Sequence, residues 1–475
     1  MKRQLAATID CGSSSARCLI FDMDTGEQVA LGSQDWYAAR SSHIPGAFDF
    51  DAGNNWPVVC RCIKKALEGL SKTGDSPDIK AVSGTGFRHG FLCLDKKGSE
   101  IFGCFNMDTR ADQQVSRLNE SGLSEQIFNL TGDWPGVHAL PRLIWLKEKD
   151  PETYGLIHRI ILPSDWAVFR LCGEAAAEPG DASSTLVFDL AERAWSARIM
   201  KMCGLREDIY PRIVDPGTVI GKISAAAARE TGLKEGIPVT VGVADTQAGL
   251  VGIGCKGPGA AAVVAGTWWM DCAIAEEPFI DPKMRLRNSC HSEPGTWVFE
   301  GVGALVGAAT RWFRDVFCRE EVRQGEEQRV DPYVLLDRQS LDVPPGSRGI
   351  QILFANLTTQ RYWKMGPAGF LGWDILNPAQ SHKGVFFKAI MENAAMQTYG
   401  EFKTIEDVSG RFPPKLIMAG GAAKSRVWPQ ILSDVRQRPV QIPRITEGTS
   451  IGTAIYAAVG AGIYKSASEA AGRLI

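Results

Sequence analysis

The start of the chain alternates between apolar runs and short polar turns. Apolar residues fill most of the stretches 4–9, 18–21 and 29–31, and a hairpin turn is predicted at Asp24, Thr25 and Gly26. Short apolar runs bounded by turn residues are typical of β-strands. We therefore predict that the chain opens with a β-meander.

The apolar positions then take up a helical spacing. Val58, Cys62, Ala66 and Leu70 recur every four positions, which places them on one face of a helix over residues 55–70. A strand is predicted next, in the segment KAVSGTGF. Further helices are predicted over 111–119, 139–149, 164–171 and 222–231. The order of meander, helix and strand differs from the strand-helix-strand start of a dinucleotide-binding domain.

A later hydrophobic strand leads to Asp245, and the plan of the opening then returns. The segment AAAVVAGTWWMDCAIA, residues 260–275, again predicts a strand, a turn of small residues and a strand. Two halves that begin alike suggest a duplication, and we place the boundary just before residue 244. The chain is thus predicted to be an α/β protein with domains at 1–243 and 244–475.

After this repeat the second half is predicted to be largely helical. Helices are expected over 304–317 and 385–406, with an irregular stretch over 341–377 and a last helix over 450–458. Ser425 is a good N-cap for one more helix, which would follow the glycines of KLIMAGGAAKS.

Charge and cysteine usage exclude several classes of protein. The 52 basic and 54 acidic residues give a net charge of −2 without long like-charge runs, which disfavours a nucleic-acid-binding protein. No window approaches the ~18 uninterrupted apolar residues of a membrane span, and the apolar run at the start breaks at Asp10, too early for a signal peptide. The twelve cysteines include no CxxC pair, so neither a zinc ribbon nor a disulfide framework is indicated. We expect a cytoplasmic protein.

Glycine is the unusual residue type. The chain has 50 glycines in 475 residues, well above the roughly 7% average, and seven of them fall between residues 242 and 266. This excess indicates segments where the backbone must come close to another group.

The segment DCGSSSAR, residues 10–17, has the composition of a phosphate-binding turn. Backbone amides and the hydroxyls of Ser13, Ser14 and Ser15 can face phosphate oxygens, Arg17 can neutralise charge, and Asp10 can hold a magnesium ion through water. The alternative is an ordinary polar hairpin turn.

The segment GVADTQAG places Asp245 at the end of a hydrophobic strand and at the start of a helix. One interpretation is a plain N-cap. The other is a general base, because a carboxylate at the carboxyl end of a strand beside a domain boundary is well placed to take a proton from a substrate.

Two glycine segments in the second half are candidates for nucleotide contact. They are AGTWWM, with Gly266 and Thr267, and MAGGAAKS, with Gly421 and Ser425. MAGGAAKS is not a Walker loop, because Ala423 precedes Lys424 where that pattern requires glycine. The six histidines form no HExxH, and no histidine follows the GTSIG string to complete a hydrolase triad.

Taken in order, DCGSSSAR, TGFRHG, NMDTR, GVADTQ, AGTWW and MAGGAAKS resemble the FGGY family of carbohydrate kinases along essentially the whole chain. The resemblance implies two ribonuclease H-like, actin-type ATPase domains with a cleft between them. It implies that ATP and Mg²⁺ are used, with Asp245 as the general base and Asp10 and Asp245 beside the metal. It also implies a set of phosphate and nucleotide contacts: Ser13, Ser14, Ser15, Arg17, Gly266, Thr267, Gly307, Gly421 and Ser425.

The resemblance also implies where the phosphate acceptor binds. The expected contacts are Arg88, His89, Asp108, Asp245 and Gln247. The pair Arg88 and His89 mixes the patterns of glycerol and xylulose kinases, and Asn106 stands where many members have tryptophan.

Segments such as PGAFDFDAGNNW and VPPGSRG resemble the autoinducer-2 kinase subgroup, which phosphorylates linear dihydroxypentanedione, although His89 replaces the expected glutamate. The alternatives are a xylulose or ribulose kinase and a non-catalytic actin-like ATP switch. The subgroup implies a phosphocarrier protein as partner, and a homodimer is possible. Its members continue beyond the position of Ile475, and we expect this chain to work without that extension.

Overall fold

A computed structural model describes residues 3–36, 39–40, 43–72, 78–301, 305–354, 357–359, 364–445 and 447–475. The strands of the first half are β1 (Leu5–Cys11), β2 (Ser15–Asp22), β3 (Gln28–Asp35), β4 (Ala39–Arg40), β5 (Phe48–Asp49), β6 (Ile79–Gly86), β7 (Phe91–Leu94), β8 (Glu100–Cys104), β9 (Arg159–Ile161), β10 (Ala176–Ala177), β11 (Phe188–Asp189), β12 (Ala194–Trp195), β13 (Arg212–Ile213), β14 (Val219–Lys222), β15 (Pro238–Thr240) and β16 (Val243–Ala244). Its helices are α1 (Ala52–Lys72), α2 (Asp112–Glu120), α3 (Leu123–Thr131), α4 (Ala139–Lys149), α5 (Pro151–Leu156), α6 (Pro163–Cys172), α7 (Pro179–Ser183), α8 (Ala197–Cys203) and α9 (Ala225–Thr231).

The strands of the second half are β17 (Ala261–Ala265), β18 (Trp269–Ala275), β19 (Arg287–Cys290), β20 (Trp297–Gly301), β21 (Gln351–Leu353), β22 (Leu357–Thr359), β23 (Lys364–Met365), β24 (Gly369–Leu371), β25 (Leu416–Gly420) and β26 (Val440–Gln441). Its helices are α10 (Asp245–Gly252), α11 (Val306–Phe317), α12 (Arg319–Gln328), α13 (Pro332–Ser340), α14 (Lys383–Ser409), α15 (Trp428–Arg436), α16 (Gly448–Gly460) and α17 (Ala467–Leu474). No helix in these described ranges is both long and apolar enough to cross a membrane.

Two large sheets share one strand plan. In the first sheet the order β3-β2-β1-β6-β15 joins an antiparallel meander to parallel strands through β1. In the second sheet β20-β18-β17-β25-β26 repeats that arrangement through β17. The duplication read from the sequence is therefore confirmed, and it is the architecture that the resemblance implied.

The alternation of side chains along β1 explains how helices cover both faces of the first sheet. Leu5, Ala7 and Ile9 point into a core shared with α1 and α6, while Ala6 points into a second core shared with α16 and α17. Helix α10 packs against α16 and also contributes Leu250 to a core with the second sheet. The segment that begins at Asp245 thus lies between the two sheets.

Most of the predicted elements are confirmed within a few residues, and the predictions that were wrong lie in the second half of the chain. The helix predicted over 222–231 begins only at Ala225, because Lys222 ends β14 and the Ser224 hydroxyl caps the helix. The stretch 341–377, of which 355–356 and 360–363 lie outside the described residues, contains the short strands β21 to β24. Helix α17 follows the helix that was expected to be the last. The N-cap position of α15 is Val427 rather than the predicted Ser425, because the helix begins at Trp428, although the Ser425 hydroxyl accepts hydrogen bonds from the Val427 and Trp428 amides at 3.1 and 3.0 Å.

Candidate active site

The turn between β1 and β2 presents the predicted phosphate motif. Its backbone is tied back, because the Gly12 amide donates to the Ser15 carbonyl at 2.9 Å and the Trp36 indole donates to the Gly12 carbonyl at 3.2 Å. The Ser14 side chain is exposed, and the Ser13 hydroxyl accepts a hydrogen bond from the Asn106 amide at 3.1 Å. The serines are thus held at the surface on a fixed backbone.

Asp10 lies at the base of this turn and is paired with Arg17. The Arg17 guanidinium donates to Asp10 Oδ2 at 2.5 Å and to Glu447 Oε2 at 2.8 Å, so it joins the first turn to the segment before α16. Burial raises the pKa of Asp10, and the Arg17 charge opposes that rise. Glu447 was not foreseen, since nothing in the sequence links it to a residue 430 positions earlier.

Asp245 is the first residue of α10, directly after β16. Its Oδ1 accepts the Thr246 amide at 2.6 Å, and its side chain is 39% exposed, so a ligand can reach it. Burial raises the pKa of Asp245, and the negative charge of Asp10 adds to this rise, whereas the positive charge of Arg88 lowers the pKa. The two carboxylates predicted beside the metal therefore repel each other.

Arg88 follows β6 and is buried. It donates from Nη1 and Nη2 to the two oxygens of Glu300, at 2.6 and 2.9 Å, and its Nε lies 3.8 Å from Asp245 Oδ1. Burial alone would lower the pKa of Arg88, but the Glu300 carboxylate raises it above the usual value. Arg88 thus stays charged and links the first half of the chain to β20.

His89 packs against His138, with ring centroids 4.5 Å apart, in a group that also contains Asp133 and Arg287. Its Nδ1 lies 3.3 Å from the Ser184 carbonyl oxygen. Burial lowers the pKa of His89 well below its usual value, and the charge of Arg287 adds to this effect. Its ring is therefore neutral around pH 7.

Asp108 is almost fully enclosed by protein partners. Its carboxylate accepts the Arg110 Nε at 2.8 Å and the Phe48 amide at 2.7 Å. Arg142 then binds the carbonyl oxygens of Asp108 and His89, at 3.1 and 2.8 Å. These contacts make Asp108 part of the frame that holds the His89 backbone, and its contact with substrate stays a prediction.

Gln247 lies two residues beyond Asp245 and is fully buried. Its Nε2 donates to the Ser289 hydroxyl at 3.2 Å, while its Oε1 is buried without a hydrogen-bond partner in the described part of the chain. An unsatisfied buried acceptor of this kind is suited to a ligand hydroxyl.

A cavity of about 460 Å³ lies in the second half of the chain. Its lining includes five residues predicted to contact the nucleotide: Gly266, Thr267, Gly307, Gly421 and Ser425. Gly307 lies so close to the backbone at Gly266 that a Cβ on it would come within 2.1 Å of the Gly266 carbonyl oxygen. The structure therefore brings these distant glycines to one cavity wall.

The carboxylates of Asp10 and Asp245 suit a magnesium ion. Mg²⁺ is usually bound by one or two carboxylates together with phosphates and waters. Thr85, which pairs with Asp10 across β1 and β6, has a buried hydroxyl without a described partner. No group of three or more His, Cys, Asp or Glu side chains clusters as a metal site in the residues that the structure describes. The donor set thus fits an ion completed by phosphates rather than an all-protein cage.

Sequence reasoning missed Glu300, Asp133 and Arg287, which contact the residues predicted to bind the acceptor. Glu300 lies within the apolar strand WVFEG, and a charged residue in such a strand is the one signal that pointed to it. Asp133 accepts hydrogen bonds from Arg287 at 2.5 Å and from His138 at 3.1 Å. No local sequence pattern predicts these contacts.

Two family models and full-length relatives match this chain. The models of the N-terminal and C-terminal domains of the FGGY family of carbohydrate kinases match residues 5–252 and 261–461. The autoinducer-2 kinase of Escherichia coli strain K12 is 36% identical over 471 residues, covering 98% of this chain and 88% of that protein. The autoinducer-2 kinase of Yersinia pestis bv. Antiqua strain Angola is 36% identical over 470 residues, with the same coverage.

Among solved structures, xylulose kinase from Rhodospirillum rubrum superposes with a TM-score of 0.83 at 24% identity, covering 99% of this chain and 92% of that chain. This likeness confirms the two-domain fold that the motifs implied. With both family models and near-complete coverage by the relatives, this chain belongs to the FGGY family of carbohydrate kinases.

Proposed function

We propose that the protein transfers the γ-phosphoryl group of ATP to a terminal hydroxyl of autoinducer-2 in its linear form, 4,5-dihydroxypentane-2,3-dione. The observation that carries this proposal is the placement of Asp245, a partly exposed carboxylate beside the buried Arg88, with Nε and Oδ1 3.8 Å apart. The names of the relatives from E. coli and Yersinia support the choice of substrate.

In the proposed reaction Asp245 accepts the proton of the acceptor hydroxyl as that oxygen attacks the γ-phosphate, and the bond from the γ-phosphorus to the β,γ-bridging oxygen breaks, so that ADP leaves. A raised pKa makes Asp245 a stronger base than an ordinary aspartate. Arg88, His89 and Gln247 would orient the acceptor. The five predicted nucleotide residues of the 460 Å³ cavity would hold ATP, and Ser13, Ser14, Ser15 and Arg17 would face its phosphates. The chemistry depends mainly on positioning and charge neutralisation.

Asp10 and Asp245 would hold Mg²⁺, and Asp108 would act on the acceptor side. When bound, the ion would neutralise charge on the phosphates. We also propose that 1–243 and 244–475 act as the two domains, with α16 and α17 closing the first sheet. Cytoplasmic location, a phosphocarrier partner and a homodimer belong to the same proposal and rest on composition and resemblance.

The charges on the acceptor side favour an uncharged substrate. In the described part of this region the buried arginines are each paired with a carboxylate: Arg88 with Glu300, Arg287 with Asp133, and both Arg110 and Arg142 with Asp108. A sugar acid would need a cation that is not already paired. We therefore expect a neutral polyol or ketose rather than an aldonate.

The test is ATP turnover with dihydroxypentanedione, xylulose, ribulose, glycerol and gluconate. We expect dihydroxypentanedione to give the highest kcat/KM, gluconate to give none, and Asp245→Asn to lower turnover by at least ~10²-fold. Asp208→Asn is the matched control, because Asp208 is 71% exposed and bonded to Arg206 on the surface. Preference for a pentulose would replace the substrate assignment, and turnover unaffected by Asp245→Asn would refute the base. A wild type that no acceptor stimulates would favour the ATP switch.

A further inference from the structure

Asp245 and Gln247 are joined by a closed chain of contacts that leaves α10 and returns to it. Gln247 donates to Ser289 at 3.2 Å, and Ser289 donates to Glu300 Oε1 at 3.1 Å. Glu300 holds both Nη atoms of Arg88, and Arg88 Nε faces Asp245. Two members of this ring, Ser289 and Glu300, lie on the neighbouring strands β19 and β20.

Two carboxylates compete for one guanidinium in this ring. Arginine prefers to pair with a carboxylate through two parallel hydrogen bonds. Glu300 takes that arrangement, and Asp245 is left at 3.8 Å, beyond hydrogen-bond distance of Nε. Asp245 Oδ1 already accepts the Thr246 amide and hydroxyl, so Oδ2 is the oxygen that stays available for an acceptor hydroxyl.

Burial and hydrogen bonding also fix the position of Glu300. It is 2% exposed, lies on β20 between β19 and β18, and accepts a hydrogen bond from the Ser289 hydroxyl. Arg88 comes from the first half of the chain, 212 residues away. The pair thus sets the position of an acceptor-side arginine from the opposite half of the molecule.

We propose that Glu300 is a positioning residue for phosphoryl transfer, which holds the Arg88 guanidinium away from Asp245 and orients it toward the acceptor. This inference rests on the proposed function. Ser289 supports it by joining Glu300 to Gln247. Without the Glu300 charge, Arg88 would turn its two Nη atoms onto Asp245 and occupy the base.

The test compares Glu300→Gln and Glu300→Asp with Glu321→Gln, a matched control. Glu321 is also buried, 4% exposed, and paired with Lys383 at 2.9 Å, but on α12. We expect Glu300→Gln to lower kcat by ~10²-fold, the scale of a misplaced catalytic geometry, with an unchanged KM for ATP. Glu300→Asp should recover part of kcat, since it restores the charge. The inference is overturned if Glu300→Gln keeps the kcat of the control, or if the KM for ATP alone changes.

A second variant separates positioning from general destabilisation. Arg88→Met removes the guanidinium, so adding it to Glu300→Gln should cost no further activity if the two residues act as a unit. Losses that multiply would show independent roles and overturn the inference.

The crystal structure of Glu300→Gln gives a readout that does not depend on the acceptor. We expect Arg88 in that structure to contact Asp245 through its Nη atoms, and an unmoved Arg88 would overturn the inference. A wild type without acceptor-stimulated turnover would refute the proposed function alone, and the position of Arg88 would still decide this inference.

Discussion

Gly452 on α16 lies against the backbone of Ala248 on α10, so closely that a Cβ on Gly452 would be 1.9 Å from the Ala248 carbonyl oxygen. A Cβ on Gly252 of α10 would likewise be 1.9 Å from the Gly448 carbonyl oxygen. Each helix therefore has a glycine at the point where it contacts the other helix. This contact supports the helix that begins with Asp245.

Replacing Gly452 with alanine should destabilise the protein and lower its rate of turnover. The atom that the new methyl group meets is backbone, which cannot rotate away, so we expect a loss of about 1–3 kcal/mol, typical of overpacking. Because α10 must shift, kcat should fall as well. Thermal unfolding and steady-state turnover measure the two effects.

Gly400→Ala is the control for this substitution. Gly400 also lies inside a helix, α14, but a Cβ there would have nothing within 4 Å. Alanine should then stabilise by about 0.5–1 kcal/mol, because glycine is the poorer helix former. Equal effects of the two changes would contradict the close contact of α10 and α16.

The sequence predicted the parts of this molecule that local patterns encode. Apolar spacing located α1, α4 and α14, and the repeated meander predicted two similar sheets. The glycines of AGTWWM and MAGGAAKS meet at one cavity because β17 and β25 pair in parallel, with Ala265 beside Gly420. Parallel pairing of those strands follows from the repeat, so this part of the site was within reach of the sequence.

The remaining part of the site depends on contacts between distant residues. The pairing of Arg88 with Glu300 and of Arg17 with Glu447 joins segments with no shared pattern. Asp108 shows that a suitable residue type is not enough. An aspartate is suited to a substrate contact, but in the fold its carboxylate accepts hydrogen bonds from Arg110 and the Phe48 amide. Residue type indicates chemistry, whereas packing decides which partner a side chain meets.

Asp271 should make stability fall as the pH rises. It is fully buried, accepts the Thr398 hydroxyl at 2.9 Å, and burial raises its pKa to about 7. In the unfolded chain its pKa is about 3.9, so between these values the folded state binds more protons than the unfolded state. Stability from this group therefore declines by up to about 1.4 kcal/mol per pH unit over that window and is level above it.

Asp271→Asn should remove this decline. The variant and the wild type should differ least near the acid end of the window, and the variant should gain relative stability toward pH 8. Asp281→Asn serves as the contrast, because the hydrogen bonds from Arg285 lower the pKa of Asp281 despite its burial. That variant should lose stability at neutral pH and approach the wild type as the pH falls. The free energy of unfolding, measured for both variants at several pH values, tests both expectations. If the stability of Asp271→Asn changed with pH in parallel with that of the wild type, Asp271 would not hold a proton in the folded state.

Two glycines of the cavity proposed to bind the nucleotide should respond differently to alanine. At Gly307 the new Cβ would come within 2.1 Å of the Gly266 carbonyl, whereas at Gly421 it would meet nothing within 4 Å. We expect Gly307→Ala to lower both thermal stability and affinity for ATP, because the backbone must move. Gly421→Ala should keep its stability and raise the KM for ATP by narrowing the cavity. An unchanged KM for ATP in both variants would place the nucleotide elsewhere.

His89 has an unusual backbone angle, so the effect of its conformation on stability can be tested separately from the role of its ring. Its φ is +72°, a left-handed conformation that asparagine tolerates and that strains a β-branched residue. We expect His89→Asn to fold as stably as the wild type, and His89→Val to lose about 1–3 kcal/mol. Thermal unfolding of the two variants, compared with Arg193→Asn at another left-handed position, measures the difference.

The same two variants test the role of the His89 ring on the acceptor side. Both lose the imidazole, so both should raise the KM for the acceptor while the KM for ATP stays constant. Because burial lowers the pKa of His89 well below its usual value, the ring is already neutral near pH 7. The wild-type KM for the acceptor should therefore stay level as the pH falls from about 7.5 to about 6, a range in which an ordinary histidine of pKa about 6.5 becomes charged. A KM that changes over this range in the wild type but not in His89→Asn would mean that the ring titrates, and that it is open to solvent when the acceptor binds.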